Sequence, residues 1–209
     1  MLTVGKDEAG VERRLREGVL HCPDCAGHLC PWGWAQPRTV WGIGWWRRIR
    51  PRRSRCRTCG RTHVLSPVNV LWHRRDDVSV IGEALTRSAL GEGFRSIARC
   101  LARPEATVRG WIRRMRQLAE PIRVAFTLVR AGLVVAAPFV VAAASPLAEA
   151  VGAVLAVAAA AGERFAELAD VVASAPWEVA CAVTGGRLLA PPFIGFPINM
   201  NHTLVVFGR

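Results

Sequence analysis

Two short stretches, Cys22-Pro23-Asp24-Cys25 and Cys56-Arg57-Thr58-Cys59-Gly60, carry the pattern that decides the fold. Two residues between cysteines let one tight turn place both sulfurs on a single ion, and two such turns complete a tetrahedron. Thiolate sulfur suits zinc well. The spacing therefore predicts one structural Zn2+ bound by Cys22, Cys25, Cys56 and Cys59, with no position left for a catalytic water.

The segment between the two pairs, 26–55, has 30 residues, more than the roughly fifteen to twenty of a compact ribbon. An extended hairpin, with 41–48 as one arm and 52–57 as the other, is predicted to absorb this length. Cys30, His28 and His63 remain alternative ligands. The remaining cysteines, Cys100 and Cys181, lie in helical patterns and are expected to be small buried hydrophobes.

Residues 94–114, FRSIARCLARPEATVRGWIRR, carry the second signal. Apolar residues recur at helical spacing on two successive segments, which predicts a helix-turn-helix whose second helix begins near Pro104 and enters the major groove of DNA. The turn departs from the usual pattern twice, with Ala102 in place of glycine and Arg103 in place of an apolar residue. An ordinary helical hairpin is the alternative.

Outward positions of this hairpin are the candidate DNA contacts. Arg109 and Arg113 are the expected base readers, because arginine pairs bidentately with guanine. Phosphate contacts position a protein on DNA without reading sequence. The remaining candidates are Glu105 and Ala106 near the start of the second helix, and Arg95, Arg99, Arg114 and Arg116, which we expect to meet phosphate; a solvated surface role is the alternative for each arginine.

Charge is unevenly placed along the 209 residues, whose formal net charge is +12. Residues 1–130 hold 25 Arg and Lys against 11 Asp and Glu, whereas residues 131–209 hold 3 against 5. A basic half of this kind favours a polyanionic partner.

Seven arginines between 47 and 57 form a further basic patch. Five of the eight tryptophans lie nearby, at 32, 34, 41, 45 and 46; we expect them to form the ribbon's own core, with stacking on exposed bases as the alternative.

The predicted fold class is mainly α with a small β zinc ribbon. The organisation is an N-terminal arm (1–20), a zinc ribbon (21–67), a helix-turn-helix domain (76–120), an Ala/Val-rich helical region (121–190) and a tail (191–209). Helices are predicted at 122–136, 147–160 and 162–173, and a strand at 203–207. The N-terminal sequence has no secretory signal, so a cytoplasmic, nucleoid-associated protein is expected.

The stretches CPDC…RCRTCGRTHVLSP and GFRSIARCLARPEATVRGWIRRM resemble the N-terminal half of insertion-sequence transposases, in which a zinc ribbon precedes a helix-turn-helix that binds the element's ends. Through PWGWAQPRTV, RPRRSRCRTCGRTHVLSP and TVRGWIRR, the chain resembles more closely an uncharacterised family of bacterial zinc-ribbon and helix-turn-helix proteins. The resemblance covers about residues 20–125. It implies zinc at the four paired cysteines and DNA at the second hairpin helix.

Such transposases cut DNA with three acidic residues on a ribonuclease-H-like fold. After residue 130 only five acidic residues occur, Glu149, Glu163, Glu167, Asp170 and Glu178, without a strand pattern to present them to two metal ions. We therefore expect no enzyme. The predicted function is zinc-dependent, sequence-specific binding of double-stranded DNA by a regulator or a mobile-element accessory protein.

Two alternatives to this prediction are a truncated transposase relic that keeps only end-binding and a membrane-tethered DNA binder. The uncharged run 131–148 contains two prolines and is mostly alanine and valine. It favours packing in a helical bundle or a homodimer interface over a membrane anchor.

Overall fold

The computed structural model describes residues 1–134, 143–164 and 175–190. Within them the chain forms small sheets followed by helices, so helix predominates as predicted. The strands are β1 (Leu2–Val4), β2 (Leu29–Trp34), β3 (Arg38–Trp41), β4 (Trp46–Ile49), β5 (Arg52–Cys56) and β6 (Thr62–Pro67). The helices are α1 (Glu8–Arg16), α2 (Val78–Ala89), α3 (Phe94–Cys100), α4 (Glu105–Gln117), α5 (Ala119–Leu133), α6 (Pro146–Arg164) and α7 (Pro176–Val183).

Four strands form one sheet in the order β1-β6-β5-β2, with β1 parallel to β6 and the other pairs antiparallel. In the β2–β5 pair, Leu29 lies opposite Cys56, so the ends that lead into the two cysteine turns meet. The remaining strands, β3 and β4, pair only with each other. The single extended hairpin predicted for 41–48 and 52–57 is therefore wrong. The chain folds back at once through Gly42–Trp45, where the Gly42 N–H donates to the Trp45 carbonyl at 2.8 Å and Gly44 has a φ of +72°.

Aliphatic side chains, rather than tryptophans, form the core of the ribbon. Residues 1–20 supply most of this core because β1 joins the sheet and α1 packs against β2. Its buried members are Leu2, Val4, Val11, Leu15, Leu20, Leu29 and Leu65, together with Cys22 and Cys56. All five ribbon tryptophans are between 45% and 63% exposed. The expectation that they form the ribbon's core is thus wrong, because aliphatic residues, most of them from residues 1–20, form that core instead.

A larger core joins the six helices α2 to α7. Within α2, Gly82 allows a close approach, because a Cβ there would overlap the ring of Trp177 in α7. The predicted burial of Cys181 is confirmed, since this residue is fully buried in α7. The same expectation for Cys100 is wrong: this thiol lies on the outer side of α3 and is exposed.

Two of the three C-terminal helices predicted from sequence correspond to observed ones. Helix α5 begins three residues before the predicted 122–136, and α6 runs to Arg164 rather than 160. The third, 162–173, falls mostly outside the described residues, as does the strand at 203–207. Helix α7 was missed. Among the described residues, α6 alone is long and apolar enough to cross a membrane; here it packs against α5, α2 and α7.

Candidate metal centre and nucleic-acid interface

The four paired cysteines lie together, with all their sulfurs within 4.8 Å of one another. Cys22 Sγ is 3.7 Å from Cys59 Sγ, and Cys25 Sγ is 3.5 Å from Cys56 Sγ. A tetrahedron with zinc–sulfur bonds of about 2.3 Å places its sulfurs roughly 3.8 Å apart. The spacing and the soft donor set therefore fit one metal ion that joins the turn after Leu20 to the turn after β5.

The two cysteine turns share one backbone shape, although their sequences differ. The residue after the second cysteine of each pair is left-handed, with φ +73° at Gly60 and φ +58° at Ala26. Gly27, which follows Ala26, has another role: a Cβ there would overlap the side chain of Thr58 and crowd the sulfur of Cys56. The glycine that stands one place late in the first pair thus permits close packing of the two turns, while Ala26 accepts a conformation that costs an L-residue about 1 kcal/mol.

Backbone N–H groups lower the pKa values of Cys22 and Cys56, whereas burial raises them. The backbone N–H of Cys59, followed by that of Thr58, lowers the pKa of Cys56 to about 6 against the penalty of burial. This thiol is therefore already suited to ligate as a thiolate. Burial raises the pKa of Cys22 to about 12, so its thiolate requires the charge of a cation beside it.

The three competing ligands take separate roles in the structure. His63 is buried on β6, and its Nε2 lies 3.4 Å from Cys22 Sγ and 3.7 Å from an oxygen of Asp24. It forms a possible three-residue ligand group with them, but shares the sulfur of Cys22 with the cysteine cluster. His28 Nδ1 lies 2.6 Å from the Gly18 carbonyl, and Cys30 Sγ accepts a hydrogen bond from Arg57. The four cysteines can thus supply four ligands to one ion, with His63 directly beside them.

Helices α3 and α4 form a hairpin joined by the four residues 101–104. Ile97 and Ala98 of α3 are buried, as are Val108, Trp111, Ile112 and Met115 of α4. Both helices thus bury one apolar face, as the helical spacing of the apolar residues predicts. Ala102 has a φ of +50°, the left-handed conformation for which glycine is usual. The turn therefore keeps its geometry in spite of the alanine.

Arg103, the second departure in the turn, lies against the ribbon. Its Nε donates to Asp76 Oδ1 at 2.5 Å, and its Nη2 donates to the carbonyl of Gly42 at 2.9 Å. Gly42 begins the turn between β3 and β4. The side chain of Arg103 therefore connects the β3–β4 hairpin to the turn that leads into α4, whose N-cap is Pro104. Sequence reasoning noticed Arg103 as an anomaly but did not predict this contact, because its partners are 27 and 61 residues away.

Seven of the eight candidate DNA contacts lie on the surface. Arg95, Arg99, Glu105, Ala106, Arg109, Arg113 and Arg116 are exposed, whereas Arg114 is half-buried. Glu105 is already paired, since Arg95 Nε lies 3.6 Å from its carboxylate. Within the part of the chain that the structure describes, no carboxylate forms an ion pair with Arg109, Arg113 or Arg116. The outer face of α4 therefore presents three unneutralised guanidinium groups.

Among the described residues, no acidic residue after residue 130 belongs to a group that could hold a metal ion. Glu149 of α6 lies 3.8 Å from Arg123, and the buried Glu178 pairs with Lys6 at 3.0 Å. Glu163 is exposed near the end of α6, whereas Glu167 and Asp170 lie outside the described residues.

Comparison with known proteins gave no match: no family model, curated protein or solved structure matches this chain.

Proposed function

We propose that this protein is a zinc-dependent, sequence-specific binder of double-stranded DNA, acting as a transcriptional regulator or as an accessory protein of a mobile element. The observation that carries the proposal is the division of α4 into two faces. Val108, Ile112 and their neighbours are buried in the helical core, while three arginines that pair with no carboxylate of the described residues project from the other side. A helix of 13 residues with this division is suited to lie in a major groove.

Zinc has a structural role in the proposal. Four cysteines would hold the ion and leave no position for a bound water. Closing the two turns would fix β2 against β5 and thereby orient the ribbon, because little apolar surface is available in so small a module. The ribbon in turn contacts the turn before α4 through Arg103, so the metal would act on DNA binding indirectly.

Charge supports a nucleic acid as the partner. Between Cys25 and Arg75 the sequence has 11 arginines and neither aspartate nor glutamate. Together with the arginines of α3 and α4, this composition gives a basic surface to which phosphate groups are attracted. The proposed role is binding without catalysis, in the cytoplasm, with self-association through the Ala/Val-rich helices as part of the proposal.

Selection of bound fragments from a random duplex pool, using the full zinc-loaded chain, tests the proposal. We expect a recurrent site, and binding that weakens steeply with salt. If roughly 6–10 phosphates are contacted, affinity should fall about 10³- to 10⁵-fold between roughly 50 and 200 mM salt. A pool that shows no enriched site, together with affinity that does not depend on salt, would contradict the proposed function.

A further inference from the structure

The β3–β4 hairpin exposes apolar surface that the fold does not use. Its outer residues Trp41, Ile43, Trp45 and Trp46 are between 45% and 63% exposed. On the opposite side, Val40 and Ile49 are buried against Val70, so the hairpin is fixed to the protein by one face only. Large exposed indoles grouped in this way indicate a binding surface.

The strand register places two indoles and one arginine on the same face of this hairpin. Trp41 lies opposite Trp46, and Thr39 lies opposite Arg48. Because side chains alternate along a strand, these four residues share one side. The ring centroids of Trp41 and Trp46 are 6.3 Å apart, and the side chain of Arg48 is exposed. We call Trp41, Trp46 and Arg48 the indole face.

Main-chain hydrogen bonds join the β3–β4 hairpin to the segment before α2, and one side-chain hydrogen bond joins it to the turn before α4. The N–H of Trp41 donates to the carbonyl of Arg75 at 2.8 Å, and the N–H of Asp77 donates to the carbonyl of Trp41 at 2.8 Å. The next residue, Gly42, accepts from Arg103, which precedes the N-cap of α4. A nucleic acid held by α4 would therefore pass close to this hairpin.

We propose that the indole face binds unpaired bases next to the duplex held by α4, with Trp46 and Trp41 stacking on the bases and Arg48 on the backbone. Planar aromatic side chains beside arginine are what single-stranded nucleic acid requires. In an intact duplex each base is covered on both sides by its neighbours, so an exposed indole gains a stacking partner only where bases are unpaired or a step is opened. The absence of acidic residues from 25 to 75 favours a polyanion over a neutral or basic protein partner.

This inference rests on the proposed function, and its test uses the full zinc-loaded chain with three probes. The first is a fully paired duplex bearing the selected site. The second set is the same duplex with a short single-stranded extension at either end. The third is an oligothymidylate strand alone. We expect an extension at one end to tighten binding by at least about fivefold, the lower end of what one stacked base contributes.

Four variants assign that gain to the hairpin. Trp46→Ala should remove the gain without changing affinity for the fully paired duplex, and Trp46→Phe should keep most of it because its ring can still stack. Arg48→Ala should reduce the gain. Trp32→Ala is the matched control, since Trp32 is an exposed indole of the same ribbon but lies on β2, and it should leave the gain intact.

The proposal is overturned if no extension tightens binding, or if Trp46→Ala weakens the paired and extended duplexes by the same factor. It is also overturned if Trp46→Ala abolishes binding to phosphatidylglycerol vesicles while the gain on extended DNA persists. Failure of the proposed function has a different signature, namely loss of affinity for the paired duplex. Binding of oligothymidylate that Trp46→Ala abolishes would still support the indole face in that case.

Discussion

Arg103 Nε donates to Asp76 Oδ1 at 2.5 Å, with side chains that are only 13% and 15% exposed. Asp76 precedes α2, and Arg103 lies in the turn between α3 and α4, so the ion pair joins the start of α2 to the turn of the helical hairpin. The same guanidinium donates to Gly42 of the β3–β4 turn. An arginine where an apolar residue is usual thus connects the ribbon to the helices.

Replacing Arg103 with leucine should destabilise the protein, even though leucine matches the usual residue at this position. The change leaves the carboxylate of Asp76 unpaired in a mostly buried place, which costs about 3 kcal/mol. Denaturant unfolding measures the loss. Arg103→Leu combined with Asp76→Asn should recover part of it, whereas Arg99→Leu, at an exposed position of α3, should change stability by less than about 0.5 kcal/mol.

Ala102→Gly should stabilise the protein by up to about 1 kcal/mol, because glycine adopts the left-handed conformation of Ala102 without the steric cost of a Cβ. Ala106→Gly is the matched control. It lies in the first turn of α4 with ordinary helical geometry, where glycine is expected to lower stability by roughly 0.5–1 kcal/mol. Melting curves of both variants check the prediction. It would be contradicted if the two substitutions shifted the melting temperature in the same direction.

Metal analysis should give one zinc equivalent per chain. Cys56→Ser should remove it and lower the melting temperature, because the ion joins the two turns that hold β2 against β5. Cys30→Ser is the control, since Cys30 accepts a hydrogen bond from Arg57 and lies outside the four-sulfur cluster. Full zinc content in a Cys22→Ser/Cys56→Ser double variant would contradict the assignment.

The parts of the molecule that were predictable from sequence are those governed by local spacing. The cysteine pairs and the buried face of α3 and α4 follow from patterns of three and four residues. Three features of the structure do not follow from such patterns. Arg103 has partners far along the chain. The segments β1 and α1 supply the ribbon's core although residues 1–20 look polar, and the tryptophans remain exposed. Each feature depends on contacts between segments far apart in the chain, which no local pattern encodes.

No phosphodiester cleavage should accompany DNA binding. Glu149 and Glu178 pair with Arg123 and Lys6, and among the described residues neither belongs to an acidic cluster of the kind that holds two metal ions. Supercoiled and linear DNA incubated with the protein and magnesium or manganese should stay intact. Nicking that copurifies with the protein and vanishes in a Glu163→Gln/Asp170→Asn variant would contradict this prediction.

Arg109 should read sequence, whereas Arg116 should only strengthen binding. Both are exposed on α4, but Arg109 lies near the N-terminal part of the helix, which enters a major groove most deeply. Arginine there can donate two hydrogen bonds to one guanine, which discriminates by about 1–3 kcal/mol. Arg116 lies two turns later, where a helix docked in this way would pass over the sugar-phosphate backbone.

Competition titrations with the selected duplex and a scrambled duplex separate the two roles. Arg109→Ala should weaken binding to the selected site about 5- to 150-fold, the equivalent of that discrimination, with a smaller change on the scrambled one. Arg116→Ala should weaken both duplexes about equally and lower the salt slope by roughly one unit, because a phosphate contact is lost. If Arg109→Ala weakens both duplexes by the same factor, then α4 contacts the backbone at this position as well, and sequence preference must reside elsewhere on the surface.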